Sequence, residues 1–333
     1  MTTQAPSAPR PFPVLRRAAL LRSQWFLLLL VMLVIAAFTG TVNPRFFRTN
    51  NIVNIFEQIS TLGVVASGAT ILMISGNFDI SVGANIGLSS CVMAMLIKAG
   101  MPYGVAIPAG LLVAVLCGLF VGFNAILFRA PSFIISLAAI GVFRGIALFM
   151  TQASLQTIYG KFEGLGSTRF FGVVPLIFAV SLAVYVVVGL ILRYTRLGRR
   201  VYAIGANEQA AFLSGIAVDL NKIAFFVING LLVGIAATML LSRVGAAQPS
   251  TGAGIELQAI GAVVIGGTPM TGGKGRILGT FFGVLLMGVI SNALNMLQVS
   301  PYFQDVTFGM LIIFSVAISA FGKRRGRRAA LLR

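Results

Sequence analysis

Apolar runs long enough to cross a bilayer recur along the chain, and no other feature limits its fold so strongly. The first extends from Phe26 to Val42 without a charged residue. A helix of about that length spans the hydrocarbon core of a membrane. Further runs follow at 57–75, 82–98, 104–127, 132–150, 173–192, 223–242, 255–267, 277–297 and 303–321. The segment 255–267 is too short to cross alone as a regular helix, and it runs into the glycine-rich stretch 266–275. Across 333 residues, 58% are hydrophobic and 10% are charged. Soluble domains carry about 25% charged residues. So much apolar surface has no hiding place in a water-soluble fold of this size. The expectation is an all-α polytopic membrane protein of about ten transmembrane helices, whose 38 glycines let helices approach closely.

Charge sets the orientation. Lysine and arginine total 25 against 7 acids, a net charge of +18. In a soluble protein that excess would suggest nucleic acid. In a polytopic membrane protein it marks cytoplasmic loops instead, and no nucleic-acid partner is expected. With ten spans and both termini cytoplasmic, only Arg45, Arg48, Lys98, Lys161, Arg169 and Arg243 fall outside, and Arg144 lies within a span. The bias toward the inside is then about three to one, and nine or eleven spans would place one terminal basic cluster on the wrong side. Residues 1–23, with Pro6, Pro9, Pro11, Pro13 and four arginines, read as a disordered cytoplasmic tail. Residues 24–321 form the membrane domain, with 193–222 as its longest internal loop, and 322–333 form a second basic tail.

The inventory of reactive groups is short. There is no histidine, and Cys91 and Cys117 both fall in apolar stretches where packing is their role. No metal cluster or disulfide framework can be assembled. Of the seven acids, Glu57, Glu163, Glu208, Asp219, Glu256 and Asp305 lie at loops or span ends, and only Asp79 is deep. A proton- or sodium-coupled transporter needs more ionisable groups at membrane depth than that. The stretch from Gly272 to Gly275 imitates a phosphate loop, but Thr268 and Gly275 stand where the Walker pattern needs Gly and Ser/Thr. Any ATP hydrolysis, with its magnesium, sits on another polypeptide, and no cofactor is expected in this chain.

Two polar, glycine-containing interruptions separate apolar segments, at 75–83 and 266–275. Irregular backbone at membrane depth survives only where protein buries it or a watery cavity meets it. Both follow similar apolar text, Ala69–Ile74 and Ala262–Ile265, and Asn124-Ala125 before Pro131 echoes Asn292-Ala293 before Pro301. This weak internal repeat suggests two five-span halves of inverted topology. The alternative is a pair of plain cytoplasmic turns. In the internal loop, Asn207 suits an N-cap, Glu208 and Gln209 the first turn, and Gly215 a C-terminal stop. The short helix between them carries Ala211, Phe212 and Leu213 out of the membrane, which calls for a partner groove or for the bilayer surface. Arg144, about twelve residues into its span, is expected to be shielded in the bundle interior, with Asp79 as one counter-charge.

These pieces occur in a recognisable order. The stretches Gly76–Gly83 (GNFDISVG), Asn124–Leu137 (NAILFRAPSFIISL), Gly205–Gly215 and Glu256–Gly283 together resemble the permease subunits of bacterial ABC importers for monosaccharides, of the ribose, xylose, arabinose and galactofuranose type. The likeness covers roughly 50–321. The first motif commonly reads GGIDLSVG; Asn77, Phe78 and Ile80 depart from it, while Asp79, Ser81, Val82 and Gly83 are kept. The resemblance implies a bacterial inner-membrane subunit in which two permease copies form the pathway. Two ATPase subunits would dock beneath it and a periplasmic or extracellular sugar-binding protein would deliver solute. Asn207–Ser214 would be the coupling helix seated in the ATPase groove, and the loops 151–172 and 244–254 would meet the binding protein. A weakly polar pathway would draw on Asn77, Asp79, Ser81, Asn85, Asn124, Ser132, Asn229, Thr268 and Asn292, with Gly83 and Gly273 as hinges. A branched-chain amino acid permease and a passive channel are the rival readings. A membrane enzyme lacks any cluster to work with.

Overall fold

The computed structural model describes residues 24–300, 303–304, 306–314 and 317, so the tails expected at 1–23 and 322–333 lie outside the described residues. The described residues are helical apart from two short ribbons and the connecting turns. In order, the helices are α1 (Gln24–Val42), α2 (Thr49–Ile74), α3 (Val82–Lys98), α4 (Tyr103–Leu127), α5 (Ser132–Thr151), α6 (Gly164–Ser167), α7 (Leu176–Tyr194), α8 (Arg196–Ala206), α9 (Glu208–Leu213), α10 (Val218–Val244), α11 (Ile255–Ile265) and α12 (Ile277–Met296), and helical residues resume at 303. Among the described residues six helices are long and apolar enough to cross a membrane: α2, α4, α5, α7, α10 and α12. The remaining apolar helices α1, α3 and α11 are shorter. This is a polytopic membrane protein.

Helices α2, α10 and α12 form the centre of the bundle and α5 and α7 its flanks. The most apolar stretch of α2 is 83% buried, that of α5 only 22%. Helix α10 meets α4 backbone to backbone because both carry glycine there: a Cβ on Gly230 would stand 2.6 Å from Ala114 O. Small residues give membrane helices this close approach and the dispersion contact that follows from it.

Helix α2 begins two turns before the apolar run at 57–75. Asn51, which precedes that run and reads as loop, and Glu57 and Gln58 at the start of the run are all paired inside the fold. Asn51 and Asn292 exchange two side-chain hydrogen bonds of 2.9 Å, and Gln58 Nε2 donates to Ser291 Oγ at 2.8 Å. Glu57 sits between Arg169 at 3.5 Å and Arg243 at 3.4 Å.

Those arginines belong to a platform at the far end of α10. Strand β1 (Gln156–Thr157) pairs with β4 (Ala246–Ala247), and β2 (Arg169–Phe170) with β3 (Val174–Pro175). Ser242 Oγ donates to Phe162 O and accepts from Gly166 N–H, fastening the 151–175 loop to α10. Lys98, at the end of α3, donates to Gln156 Oε1, so α3 ends at this platform too.

Contacts place the short helices in depth. From the platform the chain returns along α3: Gly87 lies against Pro249 O and Thr251 O, and Gly83 against Gly252 O and Glu256. Helix α11 starts there, beside the first turn of α3, and runs the other way for about 16 Å. It ends where Gly266 touches Gly279 and Thr280 at the start of α12. The segment 244–254, expected as an outer turn, therefore descends into the bundle, because the glycine face of α3 leaves room for its backbone.

Candidate functional site

The site is built around the break between α2 and α3. Residues 76–81 carry no regular structure, and their polar groups are met by side chains from other elements. Phe78 N–H donates to Ser132 Oγ at 3.0 Å, at the start of α5. Asp79 is buried; its Oδ1 accepts from Ser81 N–H at 2.9 Å and Ser81 Oγ at 2.6 Å, and its Oδ2 from Asn229 Nδ2 at 2.9 Å. The carboxylate thus closes the first turn of α3, where a helix start favours negative charge, and ties it to the middle of α10. Gly68 on α2 leaves the space that Asn229 occupies. Asn85, one turn into α3, donates to Ala114 O at 3.1 Å.

Asn77 faces a cleft of about 520 Å³ at the end of the bundle nearest α9, lined also by Arg129, Glu208, Asp219, Lys222 and Phe226. The Asn124 side chain donates to Phe120 O, within its own helix. Thr268 is fully buried, and its Oγ1 has no hydrogen-bond partner among the described residues. Asn292 lies apart from all of these, committed to Asn51 beyond the far end of the break.

The two interruptions do touch. Gly273 N–H donates to Ile74 O at 2.8 Å, and a Cβ on Gly272 would stand 2.9 Å from Gly76 N. The contact is at the inner end of α2 only. At the first turn of α3, the facing segment is 248–256, of which 248–254 is expected from the sequence in an outer turn. The signal for it was the Gly83 and Gly87 spacing, which puts two residues without side chains on one helix face.

Arg144 is exposed on α5. The acid within electrostatic reach of it is Glu256, whereas Asp79 is committed to Ser81 and Asn229. The interior placement expected of Arg144 fails because α5 buries only a narrow stripe, Ser136, Ala139, Phe143 and Ala147, and Arg144 lies beside that stripe.

The α8–α9 segment is rigidly mounted. Asn207 accepts from Ala210 N–H at 3.0 Å as the N-cap of α9, and Glu208 pairs with Lys222 at 2.7 Å. Gly215, at φ +80°, closes the helix, with Ile216 N–H donating to Ala211 O at 3.1 Å. Ala211 is buried beneath, while Phe212 and Leu213 are 67% and 79% exposed. Upstream, Tyr202 Oη donates to Gly275 O at 2.9 Å, and Gly205 lies against Ile74 O and Gly273 N, with no room for a Cβ. Helix α8, which leads directly into α9, is thereby in contact with the inner end of α2 and with 266–275. Among the described residues no three His, Cys, Asp or Glu side chains gather closely enough to hold a metal ion.

A multi-pass bundle with broken helices at depth and a rigid water-facing appendage is the architecture of a membrane transport subunit. Residues 51–316 match the family model described as the permease component of the branched-chain amino acid transport system. The chain is 39% identical to the ribose import permease protein of Bacillus subtilis (strain 168) over 88% of its own length and 91% of that protein's. It is 38% identical to the D-allose transport system permease protein of Escherichia coli (strain K12), over 86% and 89% of the two chains, and 32% identical to the L-arabinose ABC transporter permease protein of Azospirillum brasilense, over 91% and 89%. No solved structure matches it. The chain belongs to the permease family of bacterial ABC importers that includes these sugar permeases, and is a multi-pass, non-catalytic transport component.

Proposed function

We propose that the chain carries a monosaccharide across the bacterial inner membrane, driven by ATP bound with magnesium on partner ATPase subunits. The observation that carries the coupling half of this reading is the pair Phe212 and Leu213. Two large apolar side chains stand in water on a short helix that packs on α8, and α8 in turn lies against the break-bearing core. Exposed apolar groups on a rigid mount fit a partner groove. Asn207, Glu208, Ala211 and Gly215 hold the mount, and Phe212 and Leu213 are the anchors. The sugar assignment rests on the three named relatives, all of which carry a pentose or hexose in their descriptions.

In this reading the protein has ten spans within 24–321, both termini in the cytoplasm, and 193–222 as the coupling loop. Its halves are inverted copies: the starts of α2 and α10, α3 and α11, and α4 and α12 are each about 170 residues apart. The repeat that matters is then Asn124 with Asn292, and the partner of the break at 75–83 is 245–254. Helix α5, with Phe149 85% exposed and Arg144 at membrane depth, is where a second permease copy would cover the chain and line the pathway. Solute would move past Asn77, Asp79, Ser81, Asn85 and Thr268, and the platform of 151–175 would receive a sugar-binding protein. Replacing Phe212 by Asp should cost about 2–4 kcal/mol of ATPase docking, by removing an anchor and placing a charge in the groove. Co-purification of the ATPase and uptake of labelled pentoses and hexoses are the measurements. Undiminished co-purification would sink the coupling assignment, and uptake of leucine instead of sugar would sink the substrate.

A further inference from the structure

Two contiguous clefts of about 440 and 370 Å³ form one groove between α7 and α12, sharing Gly189, Arg193, Ile277 and Leu278. The groove changes character along its length. Its leg, facing the surroundings of the bundle, is apolar: Leu182 is 46% exposed, Val186 54% and Leu190 51%. Its mouth, at the end where α8 leaves α7, brings together Arg193, Tyr202 and Arg276. Neither arginine has an ion-pair partner among the described residues. Arg193 rests over the ring of Tyr194 at 5.2 Å from its centroid, and Arg276 acts electrostatically on Tyr202. Helix α12 starts at Ile277 in the same mouth, so the positive end of its dipole adds to the two guanidinium groups.

We propose that this groove is a binding site for an anionic glycerophospholipid, one acyl chain along α7 and the phosphate headgroup between Arg193 and Arg276. The argument is complementarity at two levels. An apolar trough on the flank of a membrane bundle is filled by acyl chain, since hydrocarbon is the solvent there. A cationic mouth without an acid, at the end of that trough, selects a headgroup of net negative charge over a zwitterion, whose own ammonium would meet the arginines. Tyrosine at the same level suits the interface, where an apolar ring and a polar tip are both satisfied. The site also bears on the transport machinery, because Tyr202 and Arg276 flank the 266–275 turn that α8 grips through Gly275. Occupation would brace the turn that α9 moves. The lipid assignment requires only the membrane setting of the bundle and is independent of the sugar reading.

The test uses the full chain purified in a neutral detergent and titrated with dioleoylphosphatidylglycerol or dioleoylphosphatidylcholine, with bound lipid counted by native mass spectrometry. Wild type should retain the anionic lipid on the order of tenfold better than the zwitterionic one. The paired change Arg193→Gln with Arg276→Gln should erase that preference, and Arg199→Gln, on the exposed side of α8, should keep it. Val186→Trp, which fills the apolar leg without touching the charges, should reduce retention of both lipids and so tests the groove if the arginine variant fails to fold. Glycerol 3-phosphate, which offers the headgroup phosphate without chains, should not displace the lipid. Equal retention of the two lipids, a preference undiminished in the paired variant, retention unchanged by Val186→Trp, or displacement by glycerol 3-phosphate would each overturn the proposal.

Discussion

Helices α3 and α11 begin side by side inside the bundle, yet the two chain breaks that lead into them are secured in different ways. The break before α3 is stitched to other elements: Phe78 N–H to Ser132 on α5, and Asp79 to Asn229 on α10. Its carboxylate accepts three hydrogen bonds, two from Ser81 and one from Asn229. The break before α11 is held at its start, where Ala246–Ala247 pair with β1 and Gly245 O accepts from Ile158 N–H at 2.8 Å, and past Ala247 it satisfies itself. Gln248 N–H donates to Thr251 Oγ1 at 2.9 Å, Thr251 N–H to Gln248 O at 2.8 Å, and Ala253 N–H to Ser250 O at 3.0 Å. Its acid, Glu256, accepts from Gly254 N–H at 3.2 Å with one oxygen and has no partner for the other among the described residues. A segment cross-linked to two helices cannot shift without breaking buried hydrogen bonds. The stretch past Ala247, bonded within itself, can shift along the glycine face of α3 without breaking such a cross-link. On the transport reading proposed above, the first break would serve as scaffold and the stretch past Ala247 as the part that moves.

The largest effect should come from the surface along which that shift would occur. A Cβ on Gly83 would overlap the Glu256 carboxylate and stand 2.6 Å from Gly252 O. Gly83→Val should therefore abolish sugar uptake while the protein still inserts and still binds its ATPase. Gly273→Val strikes the inner contact instead, where φ is +75° and a Cβ would lie 2.8 Å from Ala206 Cα, and should abolish uptake as well. Uptake surviving in both variants would mean that these segments are simple turns. Uptake surviving only in Gly83→Val would move the mobile element to the inner turn.

Next in size, Asp79→Ala should destabilise the bundle by about 2–4 kcal/mol, because it strands the buried Asn229 amide and Ser81 hydroxyl without an acceptor. Glu256→Gln should cost less than about 1 kcal/mol, since only one hydrogen bond to a partly exposed group is weakened. Thermal unfolding in detergent measures both. Equal losses would erase the contrast between the breaks. A small loss for Asp79→Ala accompanied by lost uptake would turn Asp79 from a strut into a solute contact.

The sequence revealed the parts of this arrangement that depend on unbroken apolarity and concealed those that depend on polar groups meeting across the bundle. Helices α4, α5, α7 and α12 are found where their apolar runs begin and end, give or take a few residues. The first two turns of α2, before the run at 57–75, were hidden because Asn50, Asn51 and Asn54 look like loop until Asn292 answers Asn51; Glu57 and Gln58, at the start of the run, are answered by two arginines and Ser291. Asp79 stood out as the one deep acid, but its partner Asn229 is 150 residues away and no local pattern joins them. The descent of 245–254 was missed because Gly, Ser, Pro and Thr compose an aqueous turn equally well. Only the facing glycines of α3 make room for that backbone in the interior. The exposed α9 was legible from its caps and its apolar residues together, since a capped six-residue helix has nothing in its own length to bury Phe212 and Leu213 against.

The smallest effect should appear far from both breaks, at Asn292. Its amide and that of Asn51 exchange two hydrogen bonds of 2.9 Å, joining α12 to the first turn of α2. Asn51 also donates to Phe46 O at 2.8 Å, so the pair braces the turn that connects α1 to α2. Side-chain hydrogen bonds between membrane helices contribute about 0.6 kcal/mol on average, because the unfolded chain in lipid also finds partners. A reciprocal pair should therefore show a coupling of about 1 kcal/mol in a double-mutant cycle of Asn51→Ala and Asn292→Ala. Uptake per folded molecule should stay at the wild-type level in Asn292→Ala, with unchanged sugar dependence, since both amides are buried and turned toward each other. If uptake instead falls while the unfolding temperature holds, Asn292 belongs to the pathway, and the polar line from Asn77 through Asp79 extends through the whole bundle.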